Sequence, residues 1–335
     1  MNICVVGGTT FFGKAIVEAL LEQGHSVTLF SRGTQRPALL ERVEHVQGDR
    51  GKDEDFAQLA HRHFDAVVDN IAYTARDVER ALGVFRGNVG RYVLTSSSSV
   101  YYAGSMTMPV TEADVDFGFF PPLAQKDKPL WRYALGKLEA ERALNDQDDV
   151  PFTIIRPPIV LGPEDPTLRG HFYFQRLLDG QPLLLTEGGG QSFRLVFSRD
   201  LARGYLLALR SNEALNSTYN LAQGEIVTLK QLVQLAAEAL GQKPHVVSVP
   251  AAVFRATKFE YPEPYARMSN FIPDIDKATS ELGYNTTPFA QWLPETARWY
   301  RETYAGTDTT HYDERDREVA FARWFQTATA AYAPQ

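Results

Sequence analysis

Buried apolar runs alternate with helical patterns through the first half of the chain, and this alternation limits the fold more than any other feature. Segments such as FGKAIVEALLEQG have helical spacing and end at a glycine. Strands that alternate with helices pair in parallel through right-handed crossovers. The sequence therefore predicts an α/β fold, a doubly wound parallel sheet covered on both faces. The predicted strands are NICVVG, SVTLF, VEHVQG, FDAVVDN, RYVLTSS and PFTIIRPPIV.

Composition excludes several classes of protein. A chain of 335 residues with 44% hydrophobic content can bury a full core, in one large domain or two. The single cysteine, Cys4, lies in an apolar run and is expected to be a packed strand residue. No signal-peptide pattern and no membrane-length apolar run occurs, so a soluble, cytoplasmic protein without a membrane partner is expected. The net charge of −7 argues against nucleic acid as a partner.

The loop GGTTFFG lies between the first predicted strand and the first predicted helix. Glycines at this place let the backbone approach a pyrophosphate, while the first helical turn directs unpaired N–H groups at the charge. Thr10 occupies the position of the middle glycine, where its Cβ could crowd the phosphate or its hydroxyl could donate to it. A tight structural turn is the alternative. The loop residues predicted to bind a dinucleotide are Gly7, Gly8, Thr10, Phe11, Phe12 and Gly13.

The end of the second strand indicates which dinucleotide is preferred. A site for NAD usually has an acidic residue there, which accepts from the ribose 2′-hydroxyl, whereas a 2′-phosphate needs a cation. This strand ends in Ser31 and Arg32, and the guanidinium has the geometry to bind a phosphate. NADP is therefore favoured over NAD, with an ordinary exposed arginine as the alternative.

The segment WRYALGKLEAERAL carries the predicted chemistry. Tyr133 and Lys137 are four residues apart, so they share one helix face, and an ammonium beside a phenol favours the phenolate. Four serines, from Ser96 to Ser99, follow the predicted strand RYVLT, and a hydroxyl there could bind a substrate carbonyl or alcohol. An amphipathic helix and a polar loop explain each feature separately, but they explain the combination less well.

After Val160 the rhythm changes to longer loops with Pro and Gly clusters. We predict a dinucleotide-binding domain over residues 1–160, whose sheet is completed by later segments. A smaller substrate-binding region is predicted over 161–305, and a charged C-terminal helix and tail over 306–335. His61 and His63 are two residues apart and face opposite sides of a helix, so no metal is expected.

Together these motifs resemble the short-chain dehydrogenase/reductase superfamily, in its extended or atypical branch that contains the NAD-dependent epimerase/dehydratase proteins. The resemblance covers roughly Asn2 to Tyr300, and the GGxxxxG form of the loop is similar to an atypical subgroup. That subgroup includes sugar epimerases or dehydratases, reductases and plastid RNA-binding relatives. The motifs are the glycine loop, Gly48-Asp49, SSSSVY, Tyr133-x-x-x-Lys137, Arg156-Pro157, Gly162-Pro163, Arg199-Asp200-Leu201-Ala202 and Thr218-Tyr219-Asn220-Leu221.

The resemblance implies roles for individual residues. Tyr133 would be the acid/base, Lys137 would contact the nicotinamide ribose, and Ser97 would be the catalytic serine with Ser98 as its alternate. Tyr133 would remove a hydroxyl proton as hydride passes to the nicotinamide. The remaining cofactor contacts would be Asp49 at the adenine, with Ala72 and Tyr73 after the fourth strand. Relatives commonly form a homodimer through the Tyr133 helix, so one is expected here.

Three departures from the family pattern bear on the substrate. Sugar dehydratases of this kind have an Asp-Glu pair where this chain has Ser98 and Ser99, so dehydration by that route is disfavoured. Phe193 lies where an arginine would meet a substrate diphosphate, and Arg194 is one position away. Pro158 and Ile159 replace the usual asparagine after the Arg-Pro strand. The candidate contacts for a small-molecule substrate are Ser98, Arg169, His171, Tyr173 and Arg194.

Three functions are therefore open. The first is an NAD(P)-dependent oxidoreductase or epimerase that acts on a sugar or related hydroxyl/carbonyl substrate. The second is an NADPH-dependent reductase of a small non-sugar carbonyl, which would consume cofactor stoichiometrically where an epimerase would retain it. The third is a non-catalytic dinucleotide-binding or RNA-binding relative.

Overall fold

Strands and helices alternate in the computed structural model, which describes residues 1–103, 107–118, 128–265, 270–304 and 311–330. Strands β1 to β13 are Asn2–Val6, Ser26–Ser31, Glu44–Gln47, Ala66–Asp69, Tyr92–Thr95, Phe152–Arg156, Val160–Leu161, Leu183–Thr186, Ser192–Phe193, Val196–Phe197, Ser217–Asn220, Val227–Thr228 and Val246–Val249. Helices α1 to α11 are Phe11–Glu22, Asp53–Phe56, Ala75–Phe85, Pro129–Asn145, Arg169–Leu178, Ser198–Arg210, Leu229–Leu240, Ala251–Thr257, Asp276–Leu282, Phe289–Thr303 and Arg315–Ala330.

Seven parallel strands form the central sheet, in the order β11-β6-β5-β4-β1-β2-β3. β1 lies between β2 and β4, with Val5 beside Leu29 on one side and beside Val68 on the other. The strand order reverses here, so the carboxyl ends of β1 and β4 border the crevice where doubly wound sheets bind ligands. The predicted α/β fold is confirmed.

Each face of the sheet packs on its own apolar core. Helices α1 and α6 lie against each other and cover one face, with Ile16 and Leu201 among the buried residues. Helices α3 and α4 pack together over the opposite face, with Val78 and Ala140 buried. Cys4 is completely buried in β1, as predicted for a packed strand residue.

The chain divides into two compact units. The central sheet belongs to the first, while the second has a parallel pair, β8 with β13, and an antiparallel pair, β9 with β12. The first unit comprises Met1–Val160, Leu195–Gly224 and Pro273–Thr286, and the second comprises Leu161–Arg194, Glu225–Ile272 and Thr287–Gln335. None of the helices within the described ranges has the length and apolarity that crossing a bilayer demands.

Helix α11 differs in one respect from the charged surface helix expected at the C-terminus. Its Glu318 is buried, and Arg176 of α5 donates to it over 2.7 Å from Nη2 to Oε1. Arg315, also on α11, donates both to Glu318 and to Asp179. The charge pattern of the sequence did not indicate this buried face, because Arg176, which pairs with Glu318, lies 142 positions away along the chain.

Candidate active site

The glycine loop is shaped by close contacts at two of its glycines. Gly7 has a φ of +78°, and a Cβ there would lie 2.7 Å from Cγ2 of Ile71. A Cβ on Gly13 would lie 3.1 Å from the Gly7 carbonyl oxygen and 3.2 Å from Cα of Gly8. The first position therefore requires glycine for its backbone angle, and the second for the approach of α1 to the loop. Such a loop, at the end of β1 and the start of α1, fits a pyrophosphate.

Thr10 does not need to be glycine. Its φ of −142° and ψ of 155° are extended backbone angles, which any residue adopts. It is the N-cap of α1, its exposed side chain makes no capping hydrogen bond, and the N–H groups of the first turn are therefore not taken by its hydroxyl. Phe11, the next residue, has a left-handed φ of +47°, which is uncommon for a residue with a side chain.

The two predicted cofactor contacts at the end of β2, Ser31 and Arg32, differ in burial. Ser31 is buried, and its hydroxyl lies 2.9 Å from Nε2 of His45 on the neighbouring strand β3. Arg32 is exposed and forms no ion pair with the residues that the structure describes, while its carbonyl accepts from the Gln47 side chain. The Arg32 guanidinium is therefore available to an anion at this corner of the sheet.

A buried ion pair lies under the loop that follows β3. Both the backbone and the side chain of Asp49 form hydrogen bonds. Its N–H donates to the Asp55 carboxylate, and its Oδ1 accepts from the Gly51 N–H. Arg50, the next residue, donates to both oxygens of Asp69 over 2.5 and 2.8 Å. Asp69 ends β4 and is completely buried. This pair fixes the predicted adenine-binding loop to the end of β4, and sequence reasoning missed it.

An asparagine links the glycine loop to β5. The Asn70 side chain donates to the Gly7 carbonyl over 2.6 Å and accepts from the Thr95 hydroxyl over 2.7 Å. The Thr95 hydroxyl also lies 2.6 Å from the hydroxyl of Tyr205 on α6. Sequence reasoning missed these residues as well. The one local signal was a polar Asp69-Asn70 pair directly after a buried strand.

Lys137 brings α4 to the carboxyl ends of two strands. Its ammonium donates to the Ala72 carbonyl over 2.7 Å and to the Thr95 carbonyl over 2.6 Å. The side chain is 2% exposed, and burial lowers the pKa of Lys137 to about 8. Tyr133 lies one turn earlier and is 38% exposed, with its ring centroid 6.0 Å from the ammonium nitrogen. The structure thus brings the predicted pair together, at the edge of the sheet that also carries the glycine loop.

The serines after β5 have separate environments. The Ser97 hydroxyl accepts from the Ser99 N–H over 3.1 Å and lies 3.2 Å from the Ser99 hydroxyl. Ser98 is also buried, and its N–H donates to the Pro157 carbonyl. The Ser96 hydroxyl donates to the carboxylate of Glu141, which lies about two helical turns after Tyr133 on α4. The roles of Ser97, Tyr133 and Lys137 stay predictions, but the three lie on elements that meet at one sheet edge.

Glu141 lies on the same face of α4 as the predicted pair Tyr133 and Lys137. Tyr133, Lys137 and Glu141 follow one another at intervals of four residues, from a partly exposed side chain to completely buried ones. The Glu141 carboxylate accepts from Nη2 of Arg156 over 2.5 Å and from its Nε over 2.9 Å. This buried pair fixes α4 to β6. Sequence reasoning used Arg156 for recognition only and missed Glu141.

Gly136 sets how closely α4 approaches the loop after β4. A Cβ at this position would collide with the carbonyl oxygen of Tyr73, a backbone atom that has little room to move. We expect Gly136→Ala to destabilise the protein by about 1–3 kcal/mol, because α4 must shift outward. Gly83→Ala is the matched control, since its Cβ would meet nothing within 4 Å on α3. That control should stabilise by about 0.4–1 kcal/mol.

Urea unfolding of both variants measures the difference between a crowded and an open helical glycine. Cofactor affinity should fall in Gly136→Ala as well, because Lys137 moves with the helix. Equal stabilities of the two alanine variants would show that the Tyr73 loop yields to α4.

The four remaining substrate candidates lie in the second unit. His171 is buried and its ring contacts those of Tyr300 and Tyr304, at centroid distances of 5.4 and 5.0 Å; burial lowers its pKa to about 4. Tyr173 is completely buried and stacks on Tyr265. Both side chains therefore contribute to the packing of this unit. Arg169 is exposed at the start of α5, and Arg194 follows β9, where its N–H donates to a backbone carbonyl. Their substrate roles stay predictions.

A family model for the NAD dependent epimerase/dehydratase family matches residues 3–222, more than half of the chain. The chain belongs to this family. It is thus an enzyme of the short-chain dehydrogenase/reductase type, and the predicted resemblance is confirmed. The description of this family as NAD dependent supports a nicotinamide dinucleotide as cofactor.

The proteins that resemble the chain have names that indicate different functions. It is 29% identical over 313 residues to the chloroplast stem-loop binding protein of 41 kDa b of Arabidopsis thaliana, covering 88% of this chain and 75% of that protein. It is 28% identical over 277 residues to vestitone reductase of Medicago sativa, covering 70% and 80%. The UDP-glucuronic acid 4-epimerase of Bacillus cereus, solved with NAD, matches with a TM-score of 0.71 and 20% identity over 92% of this chain and 99% of that one. That last likeness shows the fold alone.

Proposed function

We propose that the protein is an NAD(P)-dependent oxidoreductase or epimerase that acts on a sugar or related hydroxyl/carbonyl compound through Ser97, Tyr133 and Lys137. One observation carries the proposal: a buried ammonium, held by two carbonyls at the ends of β4 and β5, lies beside the ring of Tyr133. A buried ammonium that is not paired with a carboxylate costs stability, and groups with strongly perturbed pKa values cluster at functional sites. Here the cation can favour the phenolate form of Tyr133.

The glycine loop fits the dinucleotide that this chemistry needs. The loop and the first turn of α1 would hold its pyrophosphate, Asp49 its adenine, and Ala72 and Tyr73 the part near the nicotinamide. When bound, the cofactor supplies or accepts a hydride at its nicotinamide ring. Tyr133 would move the proton of the substrate hydroxyl, Ser97 would hold the substrate oxygen, and Lys137 would compensate the charge on the phenolate.

Cofactor content is the experiment that tests the proposal. The purified protein is denatured, any released dinucleotide is identified, and the apo form is titrated with NADP(H) and NAD(H). Tightly retained cofactor with no net consumption during turnover supports an epimerase. Binding of neither dinucleotide would overturn the proposal.

We further propose that NADP is preferred over NAD, because Arg32 is exposed at the end of β2 without a carboxylate beside it. Arg32→Ala should weaken NADPH binding by roughly ten- to a hundredfold, the equivalent of one charge-assisted hydrogen bond. NADH binding should change little. Arg86→Ala, which removes an exposed arginine at the end of α3, is the matched control. Tighter binding of NAD than of NADP by the parent protein would exclude this choice.

A reductase of a small non-sugar carbonyl is the second candidate. The similarity to vestitone reductase favours it, as do the residues that depart from the nucleotide-sugar pattern, Ser98, Ser99 and Phe193. Such an enzyme would oxidise one NADPH for each carbonyl reduced, which distinguishes it from an epimerase in the same assay.

A nucleic-acid-binding relative is the third candidate, favoured by the similarity to the chloroplast stem-loop binding protein. The acidic net charge of −7 argues against it. Titration with an RNA stem-loop at several salt concentrations decides the matter, because true phosphate contacts weaken steeply as salt rises.

A further inference from the structure

The backbone of Tyr73 is fixed from two sides. Its N–H donates over 2.9 Å to the carboxylate of Asp77, which also closes a capping box with Thr74 at the start of α3. Its carbonyl oxygen lies against Gly136 of α4, where even one added carbon would collide with it. Tyr73 therefore has a defined position between the two helices that cover this face of the sheet.

The Tyr73 ring lies against the ammonium of Lys137. The distance from Nζ to the ring centroid is 4.6 Å, well within the range of a cation–π interaction. The same ammonium already donates to the carbonyls of Ala72 and Thr95. Two carbonyl oxygens and the Tyr73 ring therefore contact the ammonium, with the Tyr133 ring farther away, and Lys137 is 2% exposed.

Tyr73 also contacts the proposed acid/base. The ring centroids of Tyr73 and Tyr133 are 6.3 Å apart with an interplanar angle of 53°. Tyr73 is 49% exposed, so part of this residue contacts solvent while its ring contacts the lysine. A half-exposed tyrosine ring beside Lys137 can shield the ammonium from water and still leave Tyr133 accessible to a substrate.

We propose that Tyr73 is a positioning residue of this site, whose aromatic ring rather than its hydroxyl covers the Lys137 ammonium and keeps it in place beside Tyr133. The inference rests on the proposed function of Lys137. The other charges near this ammonium are Asp69 on β4, Arg50 after β3, Asp77 on α3 and Glu141 on α4. Substitutions of Tyr73 leave all four of these charged residues unchanged.

Three substitutions separate the properties of the side chain. Tyr73→Phe keeps the ring and its bulk, Tyr73→Leu keeps most of the bulk without the π face, and Tyr73→Ala removes both. Trace acylation with acetic anhydride, followed by mass spectrometry, measures the reactivity of Lys137 without any need for turnover. Lys52 and Lys243, both exposed, serve as internal references in the same sample.

The Ala variant should acylate Lys137 at least about tenfold faster than the parent, while the Phe variant keeps the parent's slow rate. The reference lysines should react alike in every variant, which normalises the dose of anhydride, and an unchanged urea-unfolding midpoint reports that the fold is intact. If Lys137 is no more reactive in the Ala variant than in the parent, the ring does not cover it and the proposal is wrong.

Turnover adds the readout that packing alone would not produce. The rate constant kcat should be highest in the Phe variant, lower in the Leu variant and lowest in the Ala variant. The kcat of the Leu variant should be roughly three- to thirtyfold lower than that of the Phe variant, which is the range expected for a lost cation–π contact. Cofactor Kd should change less than kcat. A Phe variant as slow as the Ala variant, with Lys137 still protected, would assign the role to the hydroxyl and overturn the proposal. Failure of the parent to turn over any carbonyl would instead remove the proposed function and leave the acylation result unaffected.

Discussion

Tyr133→Phe should lower kcat by about 10²–10⁴-fold, because it removes the proposed acid/base hydroxyl and little else. The ring stays in place against Tyr73, at a partly exposed position where the loss of one oxygen costs little stability. Steady-state kinetics with NADPH and a carbonyl substrate measure the loss. Since a group that acts only in the transition state lowers kcat and kcat/KM together, both should fall by the same factor.

Cofactor affinity and thermal stability of the same variant are the controls for this prediction. Both should match the parent, since the substitution keeps the ring and leaves the residues of the glycine loop and Lys137 unchanged. A Phe variant that retains a third or more of the parent's kcat would exclude Tyr133 as the acid/base. Ser97 and Tyr73, which also carry hydroxyls at this sheet edge, would then be the next candidates for the acid/base.

The fold and the central pair of the site could be predicted because their signals are local. Buried strands alternate with helices at a period that shows within a few residues, and the interval from Tyr133 to Lys137 is a property of any helix. The order of the strands, with β1 between β2 and β4, could not be predicted in this way, because right-handed crossovers are compatible with more than one order.

The supporting residues could not be predicted because their partners are distant in sequence. Arg50 pairs with Asp69, nineteen residues on, and Thr95 reaches Tyr205 across 110 residues. No helical or strand period connects such positions. The burial of an arginine or a glutamate becomes visible only when its partner is known, since isolated charges are expected at the surface.

Thr10 shows a different limit. The sequence motif suggested that a glycine was missing, because a motif records which residue is usual and not which backbone angles are needed. The extended φ of Thr10 shows that the chain needs no glycine at position 10. The positive φ of Gly7 shows that it needs glycine at position 7. A pattern of glycines therefore predicted a phosphate loop without showing which glycines it depends on.

Breaking the Arg156–Glu141 pair should have the largest effect on stability. Both side chains are almost completely buried, 2% and 0% exposed, and the guanidinium makes three contacts of 2.5 to 3.2 Å with the carboxylate. Glu141→Gln leaves Arg156 as an uncompensated buried charge, and the expected cost is about 3–5 kcal/mol. Urea unfolding followed by circular dichroism measures it. Asp149→Asn, which breaks the exposed pair with Arg86, is the matched control and should cost about 1 kcal/mol or less.

The double variant Glu141→Leu with Arg156→Met distinguishes two explanations for this loss. If the penalty comes from the unpaired charge, replacing both partners by apolar residues of similar size should recover most of the stability. If it comes from the hydrogen bond that Glu141 accepts from Ser96, the double variant, which also lacks that bond, should stay as unstable as Glu141→Gln. Recovered stability with lost turnover would mean that the pair is kept for the position of α4, since the helix that it fixes to β6 also carries Tyr133 and Lys137. A Glu141→Gln variant as stable as Asp149→Asn would show that Lys137 and Gly136 hold α4 without the ion pair.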